Sequence, residues 1–193
     1  MIMKKQAITI GRIGILIPIA SIIPVLGGLA GLAAIVLFMI SHYYFSKVYE
    51  QPVVFRSALT GSIITVATSI IGSVMILLAV GFTAFSFSGN DFQSLEYQKI
   101  IDLVFASGAT ITGAIIILAG MIIGLYFVFK ALGILAEQSN VKLFRIAGLL
   151  YFIGAIATIL FFIGFLVIFV AWIIHIVAYF SIVHEKEAEQ TAG

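Results

Sequence analysis

His175 is the one ionisable side chain that the sequence sets deep inside a long apolar run, because no Asp, Glu, Lys or Arg occurs between Arg145 and Glu185. A titratable group at such depth is costly and is a functional suspect by default. A neutral imidazole there can bond a hydroxyl of another helix, bind a ligand group or relay a proton. It shares a helical face with Ala171, Trp172, Ala178 and Tyr179. No carboxylate lies at similar depth, which favours a neutral His held by one hydrogen bond and stacked near Trp172. His42, four residues after Phe38, is expected close to water at the end of its segment, and His184 falls in a tail.

A second set of polar residues lies on one helix. At about 100° per residue, Ser57, Gly61, Thr65, Ser69 and Ser73 advance slowly around one side, accompanied by Thr68 and Gly72. Ile63, Ile64, Val66, Ile70, Ile71 and Val74 occupy the other half. Small residues let helix backbones approach closely, and their hydroxyls either bond across the interface or return to carbonyls of their own helix. The face is a packing surface or, alternatively, the wall of a polar cavity. Packing is favoured because nothing charged sits on it. Gly113 and Gly120, in a seven-residue series with Ala106, give the next apolar segment a complementary face, and Gly120–Gly124 is a Gly-x-x-x-Gly.

No other constellation carries chemistry. His-Glu-x-x-His, Gly-x-Ser-x-Gly and phosphate-cradling loops are all missing. The absence of Cys excludes disulfides, thiol catalysis and thiolate metal sites. Basic residues interleaved with aromatics are lacking too, so no nucleic-acid partner is implied. The expectation is therefore no catalytic, cofactor or metal site, and no enzyme.

The elements that hold these residues are set by composition. Hydrophobic residues make up 63% of the 193 and charged residues 9%, against about 25% charged in soluble domains. Lipid is the solvent that such a chain requires. Apolar segments fall at 8–23, 29–46, 53–82, 105–129, 144–160 and 164–183, in one membrane domain with a solvated tail at 184–193. The last two form a hairpin whose tip, Phe161-Phe162-Ile163-Gly164, can bend at glycine. The polar stretch Asp91–Asp102 reads as a loop with a short surface helix, and Ala131–Asn140 as a connection after a crossing closed by Lys130.

Six crossings put both termini on one side. Lys4, Lys5, Arg12, Lys47, Arg56, Lys130, Lys142, Arg145 and Lys186 then share a face and only Lys99 lies opposite. Lys and Arg flanking membrane segments stay in the cytoplasm, so both termini are expected there, in a cell-membrane protein. The cluster Arg56, Lys130, Lys142 and Arg145 either grips anionic headgroups or serves orientation alone. An internal echo suggests a duplicated hairpin or chance reuse of interfacial residues. Tyr44–Glu50 and Tyr179–Glu185 agree at five of seven positions, and Phe55-Arg56-Ser57-Ala58 parallels Phe144-Arg145-Ile146-Ala147.

Lys142-Leu143-Phe144-Arg145-Ile146-Ala147-Gly148-Leu149-Leu150-Tyr151, followed by Ile163-Gly164-Phe165-Leu166 and Ala171-Trp172-Ile173, resembles the family called domain of unknown function 996. The Gly-rich opening up to Ser46 and the Phe55 segment are similar to that family's first half, while Phe82–Ala106 is not distinctive. The resemblance implies a small prokaryotic, largely archaeal, polytopic membrane protein. It brings no activity, ligand or catalytic residue, and His175 maps to no family motif.

The expected architecture is an all-α bundle of six transmembrane helices with cytoplasmic termini. Its expected role is non-enzymatic, as a subunit of a membrane assembly or a homo-oligomer, with the lipid bilayer, itself or other membrane subunits as partners. The alternative is a channel for small uncharged solutes or lipids lined by the Ser/Thr face.

Overall fold

A computed structural model describes residues 2–22, 27–86, 107–160 and 163–182. The expected loop at Asp91–Asp102, Ala106, the tip residues Phe161 and Phe162, and the tail from His184 lie outside the described residues. The described residues form helices joined by short turns, with no strand among them. Helix α1 spans Ile2–Leu16 and continues as a 3-10 helix over Ile17–Ile22. It is followed by α2, Gly27–Val48, α3, Pro52–Ser86, and α4, Gly108–Ser139. Helix α5, Leu143–Ala157, ends in a 3-10 turn over Thr158–Leu160, and α6 spans Ile163–Ser181. Four of these, α2, α3, α4 and α6, are long and apolar enough to cross a membrane, and α5 is a shorter apolar helix.

The chain divides into two compact units, one of residues 1–62 and 124–193 and one of residues 63–123. In the first, α5 packs along α6, and α1 packs on α2 and α6. Its core gathers Ala7 and Ile8 of α1, Phe45 of α2, Val54 of α3, Leu132 and Leu135 of α4, Phe144 of α5, and Ala178 and Tyr179 of α6. These come from the start of α1, the end of α2, the start of α3, the end of α4, the start of α5 and the end of α6. Six helix ends thus share one buried cluster. Every Lys and Arg expected on the cytoplasmic face falls within the residue ranges of this unit.

Helix α4 does not stop at Lys130 but runs on to Ser139. Ala131, Leu132, Leu135, Ala136 and Ser139 are buried, an i, i+1, i+4, i+5, i+8 spacing that keeps one stripe against the core. Lys130 is an exposed residue on the opposite side of an unbroken helix. The helix ends where Asn140 turns left-handed at φ 59°, a conformation Asn tolerates at a C-cap. The α2–α3 junction is built similarly. Glu50 is left-handed at φ 54°, the Gln51 amide donates to the Ser46 carbonyl at 2.9 Å, and Pro52 opens α3 with its ring fixing φ.

Gly164 does not supply the hairpin's bend. It lies inside the first turn of α6, and a Cβ there would come 2.5 Å from the Gly154 carbonyl oxygen of α5. Its missing side chain lets the two helices of the hairpin meet closely.

Candidate functional site

Helices α1, α2, α5 and α6 enclose a buried polar and aromatic cluster. On α2, Ser41 and His42 are both fully buried at 0% exposure, and on α6 His175 is 2% exposed. The Ser41 hydroxyl donates to the Ala7 carbonyl of α1 at 2.9 Å and lies 3.2 Å from the Tyr179 hydroxyl of α6. The Tyr179 ring can reach that position because residue 11 is glycine; a Cβ there would stand 2.6 Å from the ring's Cζ.

His175 is walled by rings. It stacks on Tyr179, with centroids 5.1 Å apart and planes at 24°. Phe144 and Tyr151 of α5 meet it edge-on, each at 5.8 Å, and Phe38 of α2 does so at 6.4 Å. The expected neighbour Trp172 is engaged elsewhere. Its indole N–H donates to the Ile15 carbonyl at 2.9 Å, and its ring lies 5.7 Å from Phe169. Tyr151 also lines an apolar groove of about 430 Å³ with Pro18, Phe165, Phe169 and Trp172.

His42 is the residue that sequence reasoning misplaced. It is buried rather than close to water, with its ring centroid 4.0 Å from that of Phe38. Its Nδ1 lies 2.8 Å from the Phe38 carbonyl oxygen. A carbonyl only accepts, so Nδ1 carries the proton and Nε2 presents a bare lone pair. Neither His42 Nε2 nor His175 Nε2 has a hydrogen-bond partner. An orphaned buried polar atom costs about 1–3 kcal/mol, so the cluster holds two such atoms, both on imidazoles that touch the Phe38 ring. The signal in the sequence was Phe38 one turn before His42, but the rings that cover it come from distant segments. Among the described residues no group of three or more His, Asp or Glu could hold a metal ion.

Arg12 closes the cluster at the end of α6. Its Nε donates to the Tyr179 carbonyl at 3.3 Å and Nη2 to the Phe180 carbonyl at 3.4 Å, with the guanidinium 4.4 Å from the Phe180 ring centroid. A cation at the last carbonyls of a helix satisfies unpaired acceptors and complements the helix dipole.

The polar face of α3 is distributed differently. In the first unit, Ser57 is buried, and a Cβ on Gly61 would come 2.6 Å from the Gly124 carbonyl oxygen of α4. In the second unit, Thr68 lies against Gly120, and a Cβ on Gly72 would come 2.5 Å from the Gly113 carbonyl oxygen. The Thr68 hydroxyl donates to the Ile64 carbonyl of its own helix at 2.7 Å. Thr65 and Ser69 are half-buried and Ser73 is exposed. Gly61, Thr68 and Gly72 therefore form the seam with α4, and Ser73 lies off it. The ring contacts of His175 are to Phe38 of α2, Phe144 and Tyr151 of α5 and Tyr179 of its own helix.

The described geometry can be set beside known proteins. The family described as "Protein of unknown function (DUF996)" matches residues 30–173. That range holds Ser41, His42 and Tyr151 and ends just before His175. An uncharacterised protein of Methanocaldococcus jannaschii is 32% identical over 185 residues, 96% of this chain and 96% of that one. No solved structure matches the chain. The likeness in the segments after Lys142 and in the Gly-rich opening extends over most of the length, and the chain belongs to the DUF996 family, whose function is unknown.

Proposed function

We infer that this chain is a non-enzymatic, polytopic protein of the cell membrane that works as a subunit of a membrane assembly or as a homo-oligomer. It crosses the bilayer six times, with both termini in the cytoplasm. Lengths support six crossings. Helix α5 with its 3-10 turn, 15 and 3 residues, spans about 28 Å, and α1 with its 3-10 extension, 15 and 6 residues, about 34 Å, of which the turns up to Arg12 lie at the cytoplasmic face. A bilayer core is about 30 Å thick.

The observation that carries the packing role is the glycine seam. The small-residue face of α3 is closed by carbonyls of α4 at Gly61 and Gly72, which supports a packed body over a lined channel. Other small positions face outward: nothing stands within 4 Å of a Cβ built on Gly31 or Gly81. Such positions let a helix of another subunit come close.

Two measurements test this. Chemical crosslinking and light scattering of the full chain in mild detergent should return an oligomer or a captured membrane partner. A strict monomer with no partner removes the subunit role. Single cysteines at Thr65 and Ser69 should resist water-soluble maleimides, whereas rapid labelling at both would turn the assignment to a pore.

A further inference from the structure

The α4–α5 junction carries a pocket of about 490 Å³ lined by Glu137, Asn140, Lys142, Arg145, Ile146 and Leu149, with Ala136 at its back. Its two cations lie at one end of α5. Below them Ile146, Leu149, Ile153 and Ile156 are all exposed, at i, i+3, i+7 and i+10, which is one stripe along a helix. The pocket thus joins a basic mouth to an apolar track.

This combination defines a ligand with an anionic head and a hydrocarbon tail. In the orientation inferred above, Lys142 and Arg145 stand at the level of the cytoplasmic headgroups and the stripe descends into the acyl region. A free phosphate would use the cations but leave the track unused. We propose that the α4–α5 pocket binds one anionic phospholipid of the inner leaflet, with its phosphate between Lys142 and Arg145 and an acyl chain along Ile146, Leu149, Ile153 and Ile156. Guanidinium and ammonium divide the work: Arg offers a planar fork of N–H donors to phosphate oxygens, and Lys adds a mobile point charge. Glu137, sharing the lining, repels a second negative charge and accepts from a hydroxyl-bearing headgroup. It thereby favours phosphatidylglycerol over phosphatidic acid. The site rests on the membrane assignment, but not on the oligomer.

Native mass spectrometry of the full chain in neutral detergent, titrated with phosphatidylglycerol or phosphatidylcholine, tests the site. One phosphatidylglycerol should bind in preference to phosphatidylcholine. Lys142→Gln and Arg145→Gln should each weaken it about fivefold, and together about twenty-five-fold. Arg145→Lys should retain most of the affinity. Lys130→Gln, an exposed cation outside the pocket, should change nothing, and Leu149→Ser should weaken lipid binding. Equal retention of phosphatidylcholine, or unaltered phosphatidylglycerol binding in the double variant, overturns the proposal. So does displacement of the lipid by millimolar inorganic phosphate, which would make this an anion site alone. Loss of a protein partner without loss of lipid in the double variant would assign the cations to an acidic protein instead. Any of these failures leaves the number of crossings and their orientation standing, because those rest on helix lengths and on where all the flanking cations lie, not on whether two of them hold a lipid.

Discussion

His175 was legible as a single residue and His42 was not, for a physical reason. Depth along a segment can be counted from charges, but lateral burial depends on which helices lie alongside. His42 is covered because α1 and α6 close over the last turns of α2, bringing Ala7 and Tyr179 to Ser41. If the His175 imidazole serves only to fill the space between Tyr179, Phe144 and Tyr151, its orphaned Nε2 is a burden. Replacing a buried polar group by an apolar one of similar shape is then nearly neutral or stabilising. His175→Leu is expected to keep or raise the thermal midpoint in detergent, while His175→Ala, which opens a cavity among four rings, should cost about 2–4 kcal/mol. A Leu variant clearly less stable than the wild type, and as costly as the Ala variant, would show that the nitrogen itself has work to do. Tyr179→Phe should cost about 0.5–1.5 kcal/mol, since only the contact to Ser41 is lost and Ser41 keeps the Ala7 carbonyl.

Among the elements, the seam between α3 and α4 was the most readable feature. Its small residues recur at helical spacing, and the structure seats Thr68 on Gly120 and Gly72 on Gly113. What the wheel could not separate was the seam from its flank. Ser73 shares the half-circle yet is exposed, because a helix contact is narrower than half a helix. The echo between hairpins divides in the same way. Arg56 and Arg145 are both exposed, with Ala58 and Ala147 both buried two residues later. Yet Phe45 is the buried ring in one copy and Tyr179 in the other, one position out of phase. The end of α4 was hidden because Lys130 read as a boundary, although a single exposed Lys does not interrupt a helix. Gly72→Ala and Gly113→Ala are expected to lose about 1–3 kcal/mol, since each methyl must displace a carbonyl of the opposing helix. Gly133→Ala, with open space at its Cβ, should gain up to about 1 kcal/mol from helix propensity. Unfolding measured in the same detergent for all three decides it, and equal effects would mean that the seam opens in solution.

At the scale of the molecule, orientation rests on charges that the sequence displays and on a core that it does not. The α2–α3 and α4–α5 junctions both abut one cluster, through Phe45 and Val54 on one side and Leu135, Val141 and Phe144 on the other. Lys4 lies 5.9 Å from the Tyr49 ring centroid just past α2, so the start of α1 belongs to that same end. These links make the two junctions and the N-terminus a single structural face, whichever compartment they occupy. The proposed cytoplasmic placement of that face rests on the basic residues alone, since cations beside membrane segments are retained in the cytoplasm. The chain has no Cys, so single cysteines report cleanly. Gln51→Cys and Gln138→Cys should be protected from an impermeant maleimide in intact cells and labelled in inverted vesicles, with Asn90→Cys behaving in the opposite way. Opposite labelling of Gln51→Cys and Gln138→Cys would contradict the shared core itself. Uniform reversal of all three would leave that core intact and refute only the rule that assigns it to the cytoplasm. The two failures are separable, because one depends on helix packing and the other on how the membrane sorts charge.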